Sequence, residues 1–539
     1  MAVGRWKWWA RRRYLTPRNR PGVVLVISLV LLFAFVALGA AEPEVLARWA
    51  ELGLNWTTEH FGWLYLFITT GFLVFCVTLA LSNYGNVRLG TDEEKPEFAY
   101  TTWLGMIFSA GMGVGLVFWG VAEPLSHYNE PPLGMADART PEAARLAMRY
   151  SAFHWGFHQW ANFAVVGLAI AFFRFRHQRG GLISETFRPM LGDRVDGVHG
   201  HAINVLAVVS TIFGVATTLG LGVIQINSGM ASLGNVPFDT DAQLAILGGT
   251  GVIFLLAALT PLEKGVRYIS ALNMLLAFLL LLFVLFAGPT DFITAALSTM
   301  VGDYFANMMG MSLVMTPFTE GDWVERWTIF YWAWGLSWAP FVGSFIARIS
   351  RGRTIREFVV GVMGMPVALS MVWFAVFGGS GLYYELFEGA GIADAVADEI
   401  SAGLFATLNQ LPLARIVTMV ALVLVALFVV TSANSATFVL GMFTARGVLN
   451  PGRWLRVSWG VVQLLVAGVL LLSGGLQALQ TISVLAAFPF MILMVFMAGS
   501  LFRGLKADRR LREERERQWY WRIERLLAEA DARENREAD

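Results

Sequence analysis

A succession of apolar runs, each long enough to cross a bilayer, limits most severely what this chain can become. A hydrocarbon core asks for roughly 20 apolar residues in helical form. Twelve such runs are read, at 22–41, 61–82, 99–122, 148–173, 202–229, 242–261, 268–288, 324–348, 356–379, 413–443, 454–474 and 478–502. Over 539 residues, 56% are hydrophobic and only 15% charged, so the expected fold class is an all-α polytopic membrane protein. The formal net charge of +1 gives no reason to expect a nucleic-acid partner.

The charges lie in the loops, and their alternation sets an orientation. Arg174, Arg176, Arg179, Arg188 and Arg194 fall in one expected inner loop, Lys264 and Arg267 in the next. Arg348, Arg351, Arg353 and Arg356, then Arg446, Arg453 and Arg456, follow. Residues 380–411 carry no lysine or arginine but hold Glu385, Glu388, Asp394, Asp398 and Glu399, so they are expected outside. The loop 83–98 is the weak one, with Arg88 and Lys95 against four acids. Residues 292–315 are mildly apolar with Asp303 and Asn307 inside, and are read as an interfacial helix on the outer face. Seven basic residues before Gly22 place the N-terminus in the cytoplasm, and no cleavable signal peptide is expected. Cys76 is the single cysteine, so neither an intramolecular disulfide nor a cysteine metal cluster is expected.

Residues 503–539 change character, with eleven basic and ten acidic residues. A charged cytoplasmic helix supported by pairs such as Glu513–Arg517 is expected. It is either a solvated tail or a regulatory arm that senses ions or the anionic inner leaflet.

Four stretches could carry chemistry. In 326–358, Tyr331, Trp334 and Trp338 share one helical face. They form either an interfacial belt and packing surface or ring faces for a cation. Trp327 and Trp332 suit the belt; Trp334 and Trp338 lie too deep for it. Gly111, Gly113 and Gly115 sit in mid-span, where they allow close helix packing or an unwound segment with bare carbonyls. The spacing is not that of a nucleotide-binding loop. Glu123-Pro124 follows, with Pro124 expected to end the helix. His154 and His158 are one turn apart, but with no H-E-x-x-H and no carboxylate beside them, packing or hydrogen bonding is favoured over a metal. Trp155, Trp160 and Phe163 add further rings. Thr431, Ser432, Asn434 and Ser435 either bond the preceding turn or offer hard oxygens to a small cation. No catalytic grouping is recognised, and no enzyme is expected.

Taken together, FYWAWGLSWAPFVGSFIARISRGRTIREF, SAGMGVGLVFWGVAEPLSHY, FHWGFHQWA and FVVTSANSATFVLGM resemble the betaine/choline/carnitine transporter family, over nearly all twelve runs. The resemblance implies a LeuT-like core of two inverted five-helix repeats and, commonly, a homotrimer in a lipid membrane. Its substrate-binding aromatic box falls on Trp155, Trp160, Trp334 and Trp338, beside Phe163 and the flexible Gly111, Gly113 and Gly115. Its sodium ligands fall on carbonyls near Ser109, Met112 and Phe428, with the hydroxyls of Thr431 and Ser432. A second cation site would involve Thr217 or Thr218. No arginine lies in 202–229, which favours ion coupling in such a protein. There are departures. Gly335 stands where the family usually has another tryptophan, Phe163 where tyrosine is common, and Asn434 where aspartate is frequent. The first two touch the substrate site.

The expected organisation is therefore a basic N-terminal segment (1–21), two extra spans and a loop (22–98), and a first inverted repeat (99–288). An external interfacial helix and loop (289–323), a second repeat (324–502) and a charged C-terminal helix (503–539) follow. The expected function is import of a quaternary ammonium or related compatible solute, such as glycine betaine, choline or carnitine, across the cell membrane. Transported Na+ is the coupling ion, no covalent cofactor is used, and both termini are cytoplasmic. Proton-coupled transport of a sulfonium, sulfonate or ectoine-like solute is the alternative, and a non-transporting osmolyte sensor is the rival of another class.

Overall fold

The structure, a computed structural model, describes residues 22–538 except 112, 235, 260–261, 319–320 and 449; for 108–111, 262–267 and 531–538 it describes backbone alone. The basic segment expected over 1–21 lies outside the described residues.

The described chain is helical. It begins with α1 (Val23–Ala41), α2 (Pro43–Leu81), α3 (Tyr100–Gly111), α4 (Val114–Asn129), α5 (Pro141–His154) and α6 (Phe157–Ala171). There follow α7 (Arg188–Leu191), α8 (Val198–Ser232), α9 (Thr240–Leu259), α10 (Leu262–Ala287) and α11 (Thr290–Met311). The last group is α12 (Phe330–Ile349), α13 (Ile355–Glu388), α14 (Ile392–Asp398), α15 (Gly403–Leu408), α16 (Ala414–Thr444) and α17 (Arg453–Ala538). Among the described residues, nine helical stretches are long and apolar enough to cross a membrane. This is an integral membrane protein. Two expected runs, 99–122 and 324–348, are not among the nine. The first is broken into α3 and α4; the second lies on a π-turn (Glu325–Ile329) and α12, rich in tryptophan, glycine and serine. The runs 454–474 and 478–502 share α17, which Gly474 (φ 151°) and Gly475 (φ 57°) interrupt. Such dihedrals are open to glycine and costly to other residues, so this pair ends one helical segment and starts the next.

Two further interruptions position the site. Between α3 and α4, Gly113 is extended (φ −148°, ψ −171°), which agrees with an unwound segment. Between α5 and α6 the chain breaks at Trp155 and Gly156, which the sequence reading ran through as one span. The Tyr304 hydroxyl of α11 fills that break and accepts the Phe157 N–H at 3.0 Å, which satisfies a donor the break would leave bare.

Three expectations are corrected. Pro124 does not end its helix; it lies inside α4. A proline removes the bond to the carbonyl four residues back, here Gly120. Gly378 of α13 packs there without a side chain: a Cβ on it would stand 2.9 Å from the Gly120 oxygen and 2.7 Å from the Pro124 ring. Trp327 and Trp332 do not form an interfacial belt. Both are buried, Trp332 stacked on His158 at 5.4 Å and Trp327 edge-on to His127 at 4.4 Å. Finally, a carboxylate does lie beside His154, because α4 brings Glu123 to 2.7 Å from its Nδ1.

α12 lies at the centre of the bundle, packed on α6, α8 and α17, while α4 packs between α5 and α13. α11 covers the expected interfacial stretch. Its Asp303 is held by the Arg145 fork of α5 at 2.7 and 2.8 Å. The charged end of α17 is helical, and from Glu513 to Ala530 its side chains are exposed except at Ile523. At its root Asp508 accepts both carboxylate bonds from Arg176 Nε at 2.8 Å, and Arg176 also reaches Asp92 at 3.0 Å. Arg512 pairs with the same Asp92 at 2.9 Å, so the tail is tied to the 83–98 loop and to the end of the fourth span.

Candidate substrate and cation site

A cavity of about 810 Å³ opens between α4, α6, α12 and α16, lined by Trp155, Trp160, Phe163, Trp334 and Trp338. Gly113, Gly115 and Gly335, with Phe428, Thr431 and Ser432, line the same space. Residues from both expected repeats thus meet, and the rings and hydroxyls singled out in the sequence share one chamber. Gly111 and Ser109 are described only as helix backbone and Met112 not at all, so their expected roles lie outside the described residues.

The rings are held at steep angles. Trp155 meets Trp334 at 5.9 Å and 84°, and Trp160 meets Phe163 at 5.4 Å and 85°. Trp338 donates its indole N–H to the Gly214 carbonyl of α8 at 2.7 Å, which fixes the ring plane. Gly115 is needed for contact rather than for conformation: a Cβ there would overlap the Trp334 ring. Edge-to-face walls leave ring faces free for a third group, and such faces attract a cation.

Behind Trp155 sits a buried polar cluster. Glu123 Oε2 accepts the Trp155 indole N–H at 3.0 Å and the Tyr331 hydroxyl at 2.5 Å. Glu123 Oε1 lies 2.7 Å from His154 Nδ1, and His154 Nε2 lies 3.0 Å from the Thr328 hydroxyl. A carboxylate can only accept, so His154 donates through Nδ1 and accepts from Thr328. Glu123, His127 and His154 present ligand atoms within 4.8 Å of one another, as a metal would need. The carboxylate oxygens are already engaged by donors, which favours a hydrogen-bonded positioning cluster. His158 bonds separately, with Nε2 2.9 Å from the Ser312 hydroxyl. The helix break between the two histidines removes the one-turn relation expected of them.

Among the hydroxyls expected to hold a cation, that of Thr431 donates to Leu427 O at 2.8 Å and lies 3.2 Å from Phe428 O. Thr218 lines the cavity, whereas Thr217 is turned away to Leu479 O at 3.0 Å and the Ser483 hydroxyl at 2.7 Å. Asn434 also faces the cavity, and its Oδ1 has no partner among the described residues. The charged residues among the described lining are Arg174 and Arg348, at the basic end. No acidic side chain is among that lining, so a cation held by the rings would rely on π faces and neutral oxygens.

Sequence reasoning passed over two residues. Glu123 was read only as a helix end, although a carboxylate bordering an apolar run is costly and thereby informative. Gln159 lines the cavity beside the rings it lies among in the sequence, and an amide set among aromatic residues inside an apolar run is a usable signal.

Residues 23–510 match the family described as BCCT, betaine/carnitine/choline family transporter. The chain is similar to the ectoine/hydroxyectoine transporter of Virgibacillus pantothenticus, 44% identical over 92% of this chain and 99% of that protein. It is 46% identical to the glycine betaine transporter OpuD of Bacillus subtilis (strain 168), over 90% of this chain and 95% of the relative. It is 39% identical to the high-affinity choline transport protein of Escherichia coli (strain K12), over 91% of this chain and 72% of the relative.

Proposed function

This chain belongs to the betaine/carnitine/choline family of transporters, and on that premise we propose that it imports a small cationic or zwitterionic compatible solute with sodium. It is a transporter, not an enzyme. The observation that supports the reading is the one cavity that four tryptophans, Thr431 and Ser432 all line. Quaternary ammonium solutes such as glycine betaine, choline and carnitine fit ring faces, and the named relatives carry betaine, choline and ectoine.

In this reading the twelve apolar runs are the spans, and 99–288 and 324–502 form the inverted repeats of a LeuT-like core. The substrate cation is desolvated between Trp155, Trp334 and Trp338. Sodium is held by the carbonyls of Ser109, Met112 and Phe428 and by the two hydroxyls. The unwound backbone at Gly113 supplies bare carbonyls without costly unfolding in lipid. The chamber continues toward Arg174 and Arg348, the basic and therefore cytoplasmic end, while Glu123, Tyr331 and the packed indoles close the other side. That is an inward-facing arrangement, and alternating access would move the closure from one side to the other. Both termini are cytoplasmic, and the working unit is a homotrimer.

Counterflow of labelled glycine betaine and labelled ectoine in proteoliposomes tests the reading. A transporter accumulates labelled solute against an unlabelled internal pool; a sensor binds it without accumulation. Uptake that is indifferent to replacing sodium by potassium removes the sodium part and points to protons.

A further inference from the structure

Gly335 and Gln159 occupy one place between them. A Cβ built on Gly335 would stand 2.5 Å from the Gln159 amide carbon and overlap its oxygen and nitrogen as well. The glycine of α12 therefore lets an amide from α6 lie across the helix face beside Trp334, where any side chain at 335 would push it out. Gln159 is 93% buried (7% exposed), lines the cavity, and its Oε1 has no hydrogen-bond partner among the described residues. Asn434 and Asn273 line the same cavity, and their amide oxygens likewise have no hydrogen-bond partner among the described residues.

A buried acceptor left bare is unfavourable, and a ligand that supplies the missing donor recovers that loss. An amide can turn about its last bond and offer either end, so Gln159 can accept from a cation or donate to a carboxylate. A fully alkylated onium has no N–H. Its methyl groups against Gln159 make only weak C–H contacts and leave the oxygen unpaired. A flat amidinium differs, since it lays its face on an indole while its N–H groups point outward in the plane. Trp155 and Trp334, at 84° to each other, provide one ring to stack on and one to close the edge.

We propose that Gln159, in the space Gly335 leaves open, determines specificity, and that the preferred solute is a carboxylate whose cationic group carries N–H donors, such as a cyclic amidinium. The choice rests on the transport reading above and narrows it. An aromatic cage selects positive charge; this amide selects among positive charges.

The test is uptake by the whole protein in proteoliposomes, with ectoine as the N–H probe and glycine betaine as the fully methylated one. Wild type should be inhibited by ectoine at a concentration about 10- to 100-fold lower than by glycine betaine, the range for a hydrogen bond to a charged group. Gln159→Met, similar in volume but without the amide, should bring the two to near parity, chiefly by weakening ectoine. Gly335→Ala should do the same by displacing the amide, and serves if the methionine variant does not fold. If wild type accumulates both but favours glycine betaine, or if both variants leave the ranking unchanged, Gln159 only fills space and the proposal is wrong while transport stands. If wild type accumulates neither, the transport reading fails and takes the proposal with it.

Discussion

Glu123 accepts the indole N–H of Trp155 at 3.0 Å, so a ring of the cavity wall is held by a carboxylate from a different helix. The same carboxylate holds Tyr331 at 2.5 Å and faces His154 at 2.7 Å, all buried. Trp155 caps the end of α5 at the break before α6; its backbone N–H still bonds the Ser151 carbonyl at 3.2 Å, and its ring is held by the contact with Glu123.

Replacing the carboxylate should disturb both stability and substrate binding. Glu123→Leu leaves several buried donors without an acceptor, at about 1–3 kcal/mol for each. Thermal unfolding in detergent should shift down clearly, and the KM for solute should rise. Glu123→Gln keeps one acceptor oxygen and should lose less on both measures. A leucine variant with wild-type KM would mean that Trp155 needs no such support.

The rings themselves should act on every cationic substrate. Trp334→Ala and Trp338→Ala each remove a face worth about 0.5–2 kcal/mol, or roughly 2- to 30-fold in affinity. Trp338→Phe should retain part of the effect but lose the bond to Gly214. Titration of substrate against intrinsic tryptophan fluorescence measures this directly, and unchanged affinity in both alanine variants removes the cage.

Ser432→Ala should raise the sodium concentration for half-maximal uptake while the protein elutes as wild type. Removing one hard oxygen weakens a small-cation site without touching the rings. A sodium curve that superimposes on wild type excludes this hydroxyl from the ion path.

At the root of the tail, burial alone would raise the Asp92 carboxyl, but Arg176, Arg512 and Arg515 hold it below its ordinary value. A lowered folded value means that the ion pairs stabilise above the unfolded carboxylate range and are lost as pH falls through the folded one. Tail release, read as limited proteolysis beyond Asp508, should therefore increase only in acid or in high salt, which screens exposed pairs. Asp508→Asn should release it at neutral pH. Truncation after Lys506 should preserve transport and alter the response to osmotic upshift; an unchanged activation curve would leave a solvated helix.

A cysteine at Glu388, exposed at the end of α13, should react with an impermeant thiol reagent on intact cells, because 380–411 is expected outside. Cys76 is buried, which keeps the background low. Position 389 is less suitable, since Gly389 has φ 63°. Labelling only after permeabilisation would invert the topology.

The run of apolar segments, the basic loops, and the tryptophans and mid-span glycines were legible along the chain. Each is a local pattern, carried by hydropathy and helical spacing. Trp155, Trp160, Phe163, Trp334 and Trp338 could be gathered on one list this way, and the fold places them in one cavity. The break at Gly156 was not legible, because what sustains it is the Tyr304 hydroxyl from a helix about 150 residues onward. Pro124 misled for a similar reason: whether a proline ends a helix depends on what packs against the carbonyl it frees, here Gly378.

By itself, then, the sequence determined a polytopic helical membrane protein, the aromatic rings that line its cavity, and the apolar runs that bear them. These follow from transfer free energies and periodicity, which are properties of short stretches. Only the tertiary structure decided that Glu123 orients Trp155, that His154 and His158 serve different partners, and that Gln159 fills the place beside Gly335. Those are contacts between helices far apart in the chain. In a medium without water, each buried polar group must find its partner there, and no local pattern specifies which helix will bring it.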